Sequence, residues 1–477
     1  MLPNKPFFYY PISLTPIFER VRKLQKRGRN IRLVSPTLFD TPLNNVKTIV
    51  NAYDEQIIRI DGEIPVQLPV SNGERFLFIS YEQSALTHGI HKYPAKFFPE
   101  LPRWLIKRYS KPGDTILDPF CGSATTNIEA LLAHRHSVGI DIEPFSRFIA
   151  TVKTTPLSEN ELEISQEELF HKVVEYNPQA ISPESIPEFP YRDHWFQPEI
   201  LLELAYLKQI IHSLACSQGV KDYYLTCFSS IIRSVSNADD HCTRTVVRKK
   251  LNKCVQPSDA LIKFVETVLV NTPRITAFSN KFPQHTSVHF PENMDARRIN
   301  YPNDSFDLAV TSPPYVNAVD YPRTHQLEAY WLELASGSLT PQKKRHVGTE
   351  SVCSQEYATF HNIGVSEADE AMRNIFQNDA RRAYIAYKYL VDMLANLKEV
   401  YRVIKPGARY AIVVGNNQIR GVVFETWKYL MSLCSEVGFE VESYFGSEII
   451  KHFIKVPRTE RINTDWIIIL RKPYVTS

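Results

Sequence analysis

The stretch from Thr115 to Asp141 constrains the fold of this chain more than any other part of the sequence. It opens with the short apolar segment 115–118 and continues through a loop of small residues into a helical pattern over about 125–133. A second apolar segment, 137–141, follows and also ends in a carboxylate. A strand, a tight loop, a helix and a second strand in this order predict a mostly parallel α/β sheet.

A second distinctive stretch is Thr-Ser-Pro-Pro-Tyr at 311–315, directly after the apolar segment 306–310. Prolines fix φ and lack an N–H, so they leave carbonyl groups free to accept hydrogen bonds. Ser312 adds a further acceptor, and Tyr315 adds an aromatic face. This combination suits a flat ring that carries an amino group. By itself the run is typical of a turn or a short polyproline segment, so its context decides between the two readings.

Charge and cysteine content exclude little but set expectations. The formal net charge of +3 argues neither for nor against nucleic acid. Basic residues cluster at 20–32 and 244–253, where they could meet phosphates or simply form solvated helix faces. The seven cysteines contain no Cys-x-x-Cys pair, so we expect neither a disulfide framework nor a metal site. Without an apolar run of about 18 residues or a leader, we expect a cytoplasmic protein with no membrane association.

The loop at 118–126 is the candidate cofactor site. Its small residues allow backbone N–H groups and the positive end of the following helix to approach a ligand closely. Asp141, at the end of the next strand, could accept hydrogen bonds from ribose hydroxyls. A nicotinamide dinucleotide calls for Gly-x-Gly-x-x-Gly, and this loop contains one glycine, which argues against that cofactor.

Taken together, the loop 118–126, the segment Gly139-Ile140-Asp141 and the run 311–315 resemble the S-adenosylmethionine-dependent amino-group DNA methyltransferases. The closest resemblance is to the cytosine N4 branch. The segments 91–98 and 294–296 also resemble parts of that family. The resemblance covers about 88–150 and 286–471.

The resemblance implies a class I methyltransferase fold, which is a Rossmann-like, mostly parallel sheet with an antiparallel edge hairpin, and S-adenosylmethionine as cofactor. It assigns Asp118, Phe120 and Gly122 to the methionine end of the cofactor, Asp141 to the ribose and Asp295 to the adenine amino group. The full expected cofactor-binding set is Tyr93, Ala95, Lys96, Asp118, Phe120, Gly122, Ser123, Asp141 and Asp295. One departure is Ala124, which stands where the family usually has a second glycine.

The expected catalytic residues are Ser312, Pro313, Pro314 and Tyr315. Ser312 Oγ and the Pro313 carbonyl would accept hydrogen bonds from the two amine hydrogens, and Tyr315 would stack on a base flipped out of the duplex. A water or Asp320 would take the released proton. Serine favours cytosine, because related adenine N6 enzymes usually carry Asp or Asn at this position.

The sequence also predicts how the chain is divided. We expect an N-terminal lobe with a basic stretch at 1–85, the cofactor-binding half of the catalytic domain at 86–155, a helical insertion at 156–285 and the substrate half at 286–477. The segment 321–379 is one candidate for target recognition, and the helical insertion is the other.

Three functions stay open from the sequence. The first is a DNA cytosine N4 methyltransferase of a restriction-modification system. The second is an adenine N6 or RNA amino methyltransferase, and the third is a nucleic-acid-binding protein without catalysis. DNA is the expected partner and a cognate restriction endonuclease is a candidate second one, while the oligomeric state is left open.

Overall fold

The computed structural model describes residues 45–50, 55–240, 242–248, 253–316, 320–449 and 464–474. The basic stretch at 20–32 and part of the second basic cluster lie outside the described residues. The chain divides into two compact units. A helical unit contains 157–239 and 247–273, and a sheet unit contains the other described residues.

The sheet unit is built on ten strands among the described residues, with a separate two-stranded ribbon. The strands are β1 (Val46–Val50), β2 (Gln56–Asp61), β3 (Arg75–Ile79), β4 (Thr115–Asp118), β5 (His136–Gly139), β6 (Val288–His289), β7 (Phe306–Thr311), β8 (Ile404–Gly415), β9 (Asn417–Ile419), β10 (Val422–Phe424), β11 (Glu440–Glu448) and β12 (Thr464–Arg471). The order across the sheet is β1-β2-β3-β11-β12-β8-β7-β4-β5-β6, and β9 pairs with β10 in the ribbon.

Strand directions confirm the predicted fold class. Strands β6, β5, β4, β7 and β8 run parallel to one another, and β12 lies antiparallel between β8 and β11. A parallel sheet with one reversed strand beside its last parallel strand is the class I methyltransferase arrangement. The carboxyl ends of β4, β5 and β7 therefore meet at one edge of the sheet, where ligands bind in open α/β folds.

Three strands from the N-terminal region extend the same sheet beyond the hairpin. Strand β3 pairs in parallel with β11 and with β2, and β1 closes this end antiparallel to β2. Phe76 of β3 is fully buried, and its ring packs edge-to-face on Phe445 of β11. The β11–β12 hairpin is consequently flanked on both sides, and β1 forms the outer edge.

Helices cover both faces of this sheet. Those of the sheet unit are α1 (Glu100–Tyr109), α2 (Thr125–Leu132), α3 (Pro144–Thr154), α9 (Tyr321–Thr324), α10 (Gln326–Trp331), α11 (Thr340–Arg345), α12 (Ser366–Asn378), α13 (Ala380–Val403) and α14 (Thr426–Val437), with short 3-10 turns at Leu86–Gly89 and Ser354–Tyr357. Ile116 and Leu117, successive residues of β4, belong to separate apolar clusters on opposite faces. Because successive side chains of a strand point to opposite faces of the sheet, β4 contributes side chains to both apolar clusters.

The residues Lys-Pro-Gly at 405–407, a sequence typical of a turn, lie within β8. Phe306 of β7 pairs with Ile404, whereas Leu308 pairs with Arg409, so the intervening residues bulge out of the ladder. Gly407 has φ +81°, a conformation that glycine adopts without steric cost. The turn residues therefore interrupt the pairing without ending the strand.

The helical unit consists of α4 (Glu159–Val174), α5 (Arg192–Trp195), α6 (Pro198–Ser213), α7 (Gln218–Ile232) and the first part of α8 (Asp259–Lys281), with 3-10 turns at Pro178–Ala180 and Pro183–Ser185. Its core includes the fully buried Tyr224, whose hydroxyl lies 2.9 Å from Ser165 Oγ. The Glu203 carboxylate accepts a hydrogen bond from the backbone of Ala260 at the start of α8. None of the described helices is long and apolar enough to cross a membrane.

Candidate active site

One cavity opens at the carboxyl ends of β4, β5 and β7, and we call it the cofactor cavity. All nine residues of the expected cofactor-binding set border it. Ser312 and Pro314 of the expected catalytic run border it as well, whereas Pro313 and Tyr315 do not contribute to its lining. The structure therefore brings the two ends of the predicted site to a single cavity.

Two residues of the loop after β4 have a left-handed backbone conformation. Gly122 has φ +47°, and a Cβ at this position would lie 3.1 Å from the ring of Tyr93. Ala124 has φ +65° and precedes α2 as its N-cap. An alanine in the left-handed region of φ/ψ space is strained by about 1 kcal/mol or more. Position 124 therefore has a backbone conformation that favours glycine although its residue is alanine.

Asp118 connects the cofactor loop to the strand that leads into the catalytic run. Its Oδ1 accepts a 3.1 Å hydrogen bond from the backbone N–H of Phe120 and a 2.6 Å hydrogen bond from the hydroxyl of Thr311. The carboxyl is 4% exposed, and this burial raises its pKa to about 6 although the hydrogen bonds favour the charged form. At neutral pH it is therefore mainly ionised and able to face an ammonium group.

Asp141 lies two residues beyond the neighbouring strand β5, which ends at Gly139. Its Oδ2 accepts from the backbone N–H of Gly122 at 3.0 Å, and its Oδ1 accepts from the N–H of Glu143 at 2.8 Å. Burial raises the pKa of Asp141 to about 6 against these hydrogen bonds. Since each carboxylate oxygen has two lone pairs, Asp141 can also accept from two vicinal hydroxyls.

Asp295 forms a bidentate ion pair with Arg297. Arg297 was not among the site residues expected from the sequence. Arg297 donates from Nε to Oδ1 at 2.9 Å and from its Nη2 to Oδ2 at 2.6 Å, and it also contacts Asp392 at 3.0 Å. Burial opposes ionisation of Asp295, but Arg297 outweighs it and lowers the pKa of the carboxyl. The proposed acceptor for an adenine amino group is thus kept charged.

The run at 312–315 is anchored to two strands. Ser312 Oγ donates to the backbone carbonyl of Val413 on β8 at 3.2 Å. The Tyr315 hydroxyl donates to Asp465 Oδ1 on β12 at 2.8 Å. Burial raises the pKa of Asp465 to about 6. Sequence reasoning missed Asp465, because it lies 150 positions from Tyr315 and outside any motif.

Asp320, suggested by the sequence as a proton acceptor, forms contacts with Arg323 and Lys343 instead. Its Oδ1 accepts from the backbone N–H of Arg323 as the cap of α9, and its Oδ2 forms an ion pair with Lys343 at 3.1 Å. It is also not among the residues that line the cofactor cavity. This placement argues against the suggested role.

Part of the polar segment 321–379 forms a wall of the cofactor cavity. Tyr321 stacks on Tyr93 with ring centroids 5.9 Å apart, and Arg345 and His346 border the same space. His346 Nε2 lies 3.1 Å from Oε2 of Glu143, which follows Asp141 by two residues. The start of this segment and the part around His346 therefore face the cofactor side of the site.

The residues present fit S-adenosylmethionine. Three carboxylates, Asp118, Asp141 and Asp295, are distributed around one cavity and match the ammonium, ribose and adenine groups of the cofactor. Ser123 supplies a buried hydroxyl that makes no hydrogen bond within the described part of the chain. A Cβ at Gly122 would narrow the cavity against Tyr93, so the glycine keeps room for a ligand. Among the described residues, no cluster of His, Cys, Asp or Glu could hold a metal ion.

Comparison with known proteins shows a family whose pattern part of this chain matches. The family model described as DNA methylase, of the N6/N4 type, matches residues 22–151. This match begins well before residue 88, so N-terminal residues that the motif resemblance left out also belong to the family pattern.

Individual relatives are distant but cover most of the chain. The type II methyltransferase M.MvaI of Kocuria varians is 25% identical over 380 residues, which is 74% of this chain and 82% of that protein. The type II methyltransferase M.BsoBI of Geobacillus stearothermophilus is 24% identical over 82% of this chain and 86% of its own length. Among solved structures, a SAM-dependent methyltransferase of Methanosarcina mazei is 13% identical, covering 80% of this chain and 99% of its own, with a TM-score of 0.28.

The partial family match, together with the fold and the composition of the cavity, makes the chain similar to the DNA methyltransferases that modify exocyclic amino groups. Enzymes of this class take the methyl group from S-adenosylmethionine, which is the cofactor of this chain.

Proposed function

We propose that this chain methylates the N4 amino group of a cytosine flipped out of DNA, and that it is the modification enzyme of a type II restriction-modification system. The observation that carries the proposal is the position of Ser312. It borders the cofactor cavity and directly follows Thr311, whose hydroxyl donates a hydrogen bond to Asp118 in the cofactor loop. A base amine held by Ser312 would thus lie next to the cofactor.

The cofactor supplies a methyl group that is already activated as a sulfonium. The chain must then place the amine in line with that methyl and stabilise the charge that develops on nitrogen. Ser312 Oγ and the Pro313 carbonyl would each accept one N–H of the amine, and the Tyr315 ring would stack on the base. Stacking is worth roughly 1 to 3 kcal/mol for a flipped base, which offsets part of the cost of leaving the duplex.

Two observations support the finer parts of the proposal. Serine at position 312 favours cytosine, because the related adenine N6 enzymes usually carry Asp or Asn there. The relatives from Kocuria varians and Geobacillus stearothermophilus are named type II methyltransferases, which supports a role beside a restriction endonuclease. Adenine N6 methylation is the alternative outcome of the first test below.

The base is tested by product analysis. Unmodified DNA is incubated with the protein and isotopically labelled S-adenosylmethionine, digested to nucleosides and analysed by mass spectrometry. We expect labelled N4-methyl-2′-deoxycytidine from the wild-type protein. Ser312→Ala should give a yield about a hundredfold smaller at equal cofactor occupancy. Labelled N6-methyl-2′-deoxyadenosine alone would show that adenine, and not cytosine, is the target base.

The restriction-modification role is tested by mapping the modified positions. Single-molecule sequencing of DNA from cells that express the chain should show modification at one short sequence motif. Methyl groups scattered without a motif would contradict a role in protecting sites from an endonuclease.

A further inference from the structure

We propose that Asn396 of α13 is a positioning residue for the cofactor, and that it acts through the peptide group after Ala296 on the carboxylate of Asp295. Held in this way, the carboxylate has one acceptor position left, which takes the adenine amino group. This role of Asn396 depends on the expected contact between Asp295 and that amino group, and not on which base is methylated.

Asn396 makes two hydrogen bonds in the core of the sheet unit. Its Nδ2 donates to the backbone carbonyl of Ala296 at 2.9 Å, and its Oδ1 accepts from the hydroxyl of Tyr410 on β8 at 2.8 Å. Asn396 and Tyr410 are fully buried, and Ala296 is 6% exposed. Because water does not compete strongly at such a place, the loss of either bond would leave a buried polar group unsatisfied.

The carbonyl of Ala296 sets the direction of the Asn396 amide. A carbonyl oxygen can only accept, so the NH2 end of the amide must face Ala296. The oxygen end then faces Tyr410, whose hydroxyl donates to it. A reversed amide would place two acceptors against each other. The bond between Asn396 and Ala296 therefore keeps its direction without help from Tyr410.

This bond also fixes the N–H of the next residue. A trans peptide group is planar, and its C=O and N–H point in opposite directions. Since the Ala296 carbonyl is turned toward Asn396, the N–H of Arg297 points away from it and donates to Asp295 Oδ1 at 2.9 Å. Asn396 thus orients the Asp295 carboxylate through one rigid group.

Helix α13 holds the same segment at a second point. Asp392 lies one turn before Asn396, and its Oδ1 accepts from Nη1 of Arg297 at 3.0 Å. Arg297 in turn forms the ion pair with Asp295. Two residues of one helix face therefore hold both the backbone and the arginine side chain that surround the Asp295 carboxylate.

The hydrogen bonds of Asp295 leave room for one further donor. Its Oδ1 accepts two hydrogen bonds, from the backbone N–H and from Nε of Arg297, and its Oδ2 accepts one, from Nη2. Each carboxylate oxygen has two lone pairs, so within the described part of the chain one position on Oδ2 remains. Asp295 and Ala296 both line the cofactor cavity. An adenine amino group can donate to this position, whereas a purine ring without the amino group cannot.

The test measures how strongly the protein selects for the adenine amino group. Calorimetry without DNA compares the Kd of S-adenosylhomocysteine with the Kd of its analogue in which hydrogen replaces the amino group. We expect the wild-type protein to bind S-adenosylhomocysteine about tenfold to a hundredfold more tightly, the range for a hydrogen bond to a charged group. Asn396→Leu keeps the size of the side chain but removes both of its bonds, and the preference should fall to about threefold or less.

Tyr410→Phe is the matched control. It breaks only the other hydrogen bond of Asn396 and also leaves a buried group unsatisfied, so it should lower the free energy of unfolding as well. Because the bond to Ala296 remains, the preference for S-adenosylhomocysteine should stay within about twofold of the wild-type value. A general structural role of Asn396 would instead change the preference in both variants or in neither.

If the wild-type protein binds both ligands equally well, Asp295 does not read the amino group and the proposal fails. It also fails if Asn396→Leu keeps the full preference, or if Tyr410→Phe loses the preference to the same extent. Should Asn396→Leu not fold, Asn396→Asp takes its place at pH 8, because it keeps the acceptor for Tyr410 and loses only the donor to Ala296.

A crystal structure of the wild-type protein with S-adenosylhomocysteine gives a readout that needs no variant. It should show the adenine amino group within hydrogen-bond distance of Asp295 Oδ2, with the Ala296 carbonyl still bonded to Asn396. An amino group elsewhere, or a carbonyl turned away from Asn396, would reject the proposal. A protein that selects for the amino group as expected but methylates no DNA would contradict only the proposed function.

Discussion

The hydroxyl of Thr311 donates a 2.6 Å hydrogen bond to Oδ1 of Asp118 and thereby links strands β7 and β4 at their carboxyl ends. Thr311 is fully buried and Asp118 is 4% exposed, so water does not compete strongly for this contact. Asp118 belongs to the proposed cofactor end, and the residue after Thr311 is the proposed amine acceptor Ser312. The bond therefore couples the two ends of the site through a single carboxylate.

Replacing Thr311 with valine should weaken cofactor binding in a pH-dependent way. Valine keeps the shape but removes the donor that favours ionised Asp118, so the pKa of this carboxyl should rise above about 6. We expect the Kd for S-adenosylmethionine to increase about tenfold at pH 6.5 and less at pH 8, measured by calorimetry. Thr311→Ser, which keeps the hydroxyl, is the matched control. Equal affinity of the valine variant and the wild type at both pH values would refute the coupling.

The glycine in the cofactor loop gives a second prediction. Gly122→Ala would place a Cβ 3.1 Å from Tyr93 at a φ of +47°. We expect cofactor affinity to fall at least about tenfold, since the methyl group enters the cavity and the backbone is strained. Gly113→Ala is the control, because its φ is +88° and its Cβ would meet no atom within 4 Å. If both variants bind the cofactor equally well, the Cβ at position 122 does not weaken cofactor binding by crowding the cavity.

Replacing Ala124 with glycine should affect stability less than glycine usually does at a buried alanine. In Ala124→Gly the loss of a buried methyl group is offset by release of the strain at φ +65°, so the free energy of unfolding should change by less than about 1 kcal/mol. Ala130→Gly is the comparison. Ala130 is equally buried but lies inside α2, where glycine costs helix propensity as well, and we expect a loss of about 1.5 to 2 kcal/mol. Urea denaturation measures both, and equal losses would show that Ala124 is not strained.

A buried carboxylate away from the site should dominate the acid sensitivity of the fold. Glu129 of α2 is 1% exposed and accepts from Arg103 Nε at 2.7 Å and from His88 Nε2 at 2.8 Å. Burial penalises its charge, but Arg103 and His88 outweigh the penalty and lower its pKa from 4.5 to about 2. Because the pKa is lowered in the folded state, the stabilisation is complete above about pH 5 and is lost as the pH falls toward 2.

Glu129→Gln should therefore lower the free energy of unfolding by about 3 kcal/mol at pH 7 and flatten its decline between pH 5 and 2. Glu163→Gln, at an exposed position on α4, should change it by less than about 0.5 kcal/mol. Urea titrations across this pH range provide the measurement. An unchanged acid dependence in Glu129→Gln would contradict the assignment.

Local patterns in the sequence predicted the parts of the fold that depend on short-range chemistry. Glycine marks the end of the last helix, since α14 ends at Val437 and Gly438 follows at φ +107°, where glycine is favoured. The strand before the catalytic run spans Phe306–Thr311, one residue longer than its apolar stretch. The two ends of the site meet because the carboxyl ends of neighbouring parallel strands lie at one edge of the sheet.

Features that depend on distant pairing could not be predicted from the sequence. Strand β3 joins β11 across more than 370 positions, as in the hydrogen bond between Arg75 and Glu448, and nothing local marks that partner. Asp465 is likewise an unremarkable acid in the sequence and acquires its place only when β12 pairs with β8. Arg297 follows Asp295 by two positions, and its guanidinium fork is visible only once the side chains are placed.

Methylation at cytosine N4 forms a new bond between the methyl carbon and the exocyclic nitrogen. The most direct measurement combines 13C-methyl S-adenosylmethionine with DNA in which the cytosine amino groups carry 15N, followed by NMR of the nucleosides released from the product. We expect a methyl carbon with a one-bond coupling to 15N, which is the signature of methylation at cytosine N4. A labelled methyl group without that coupling, on adenine or on a ring carbon, would contradict it.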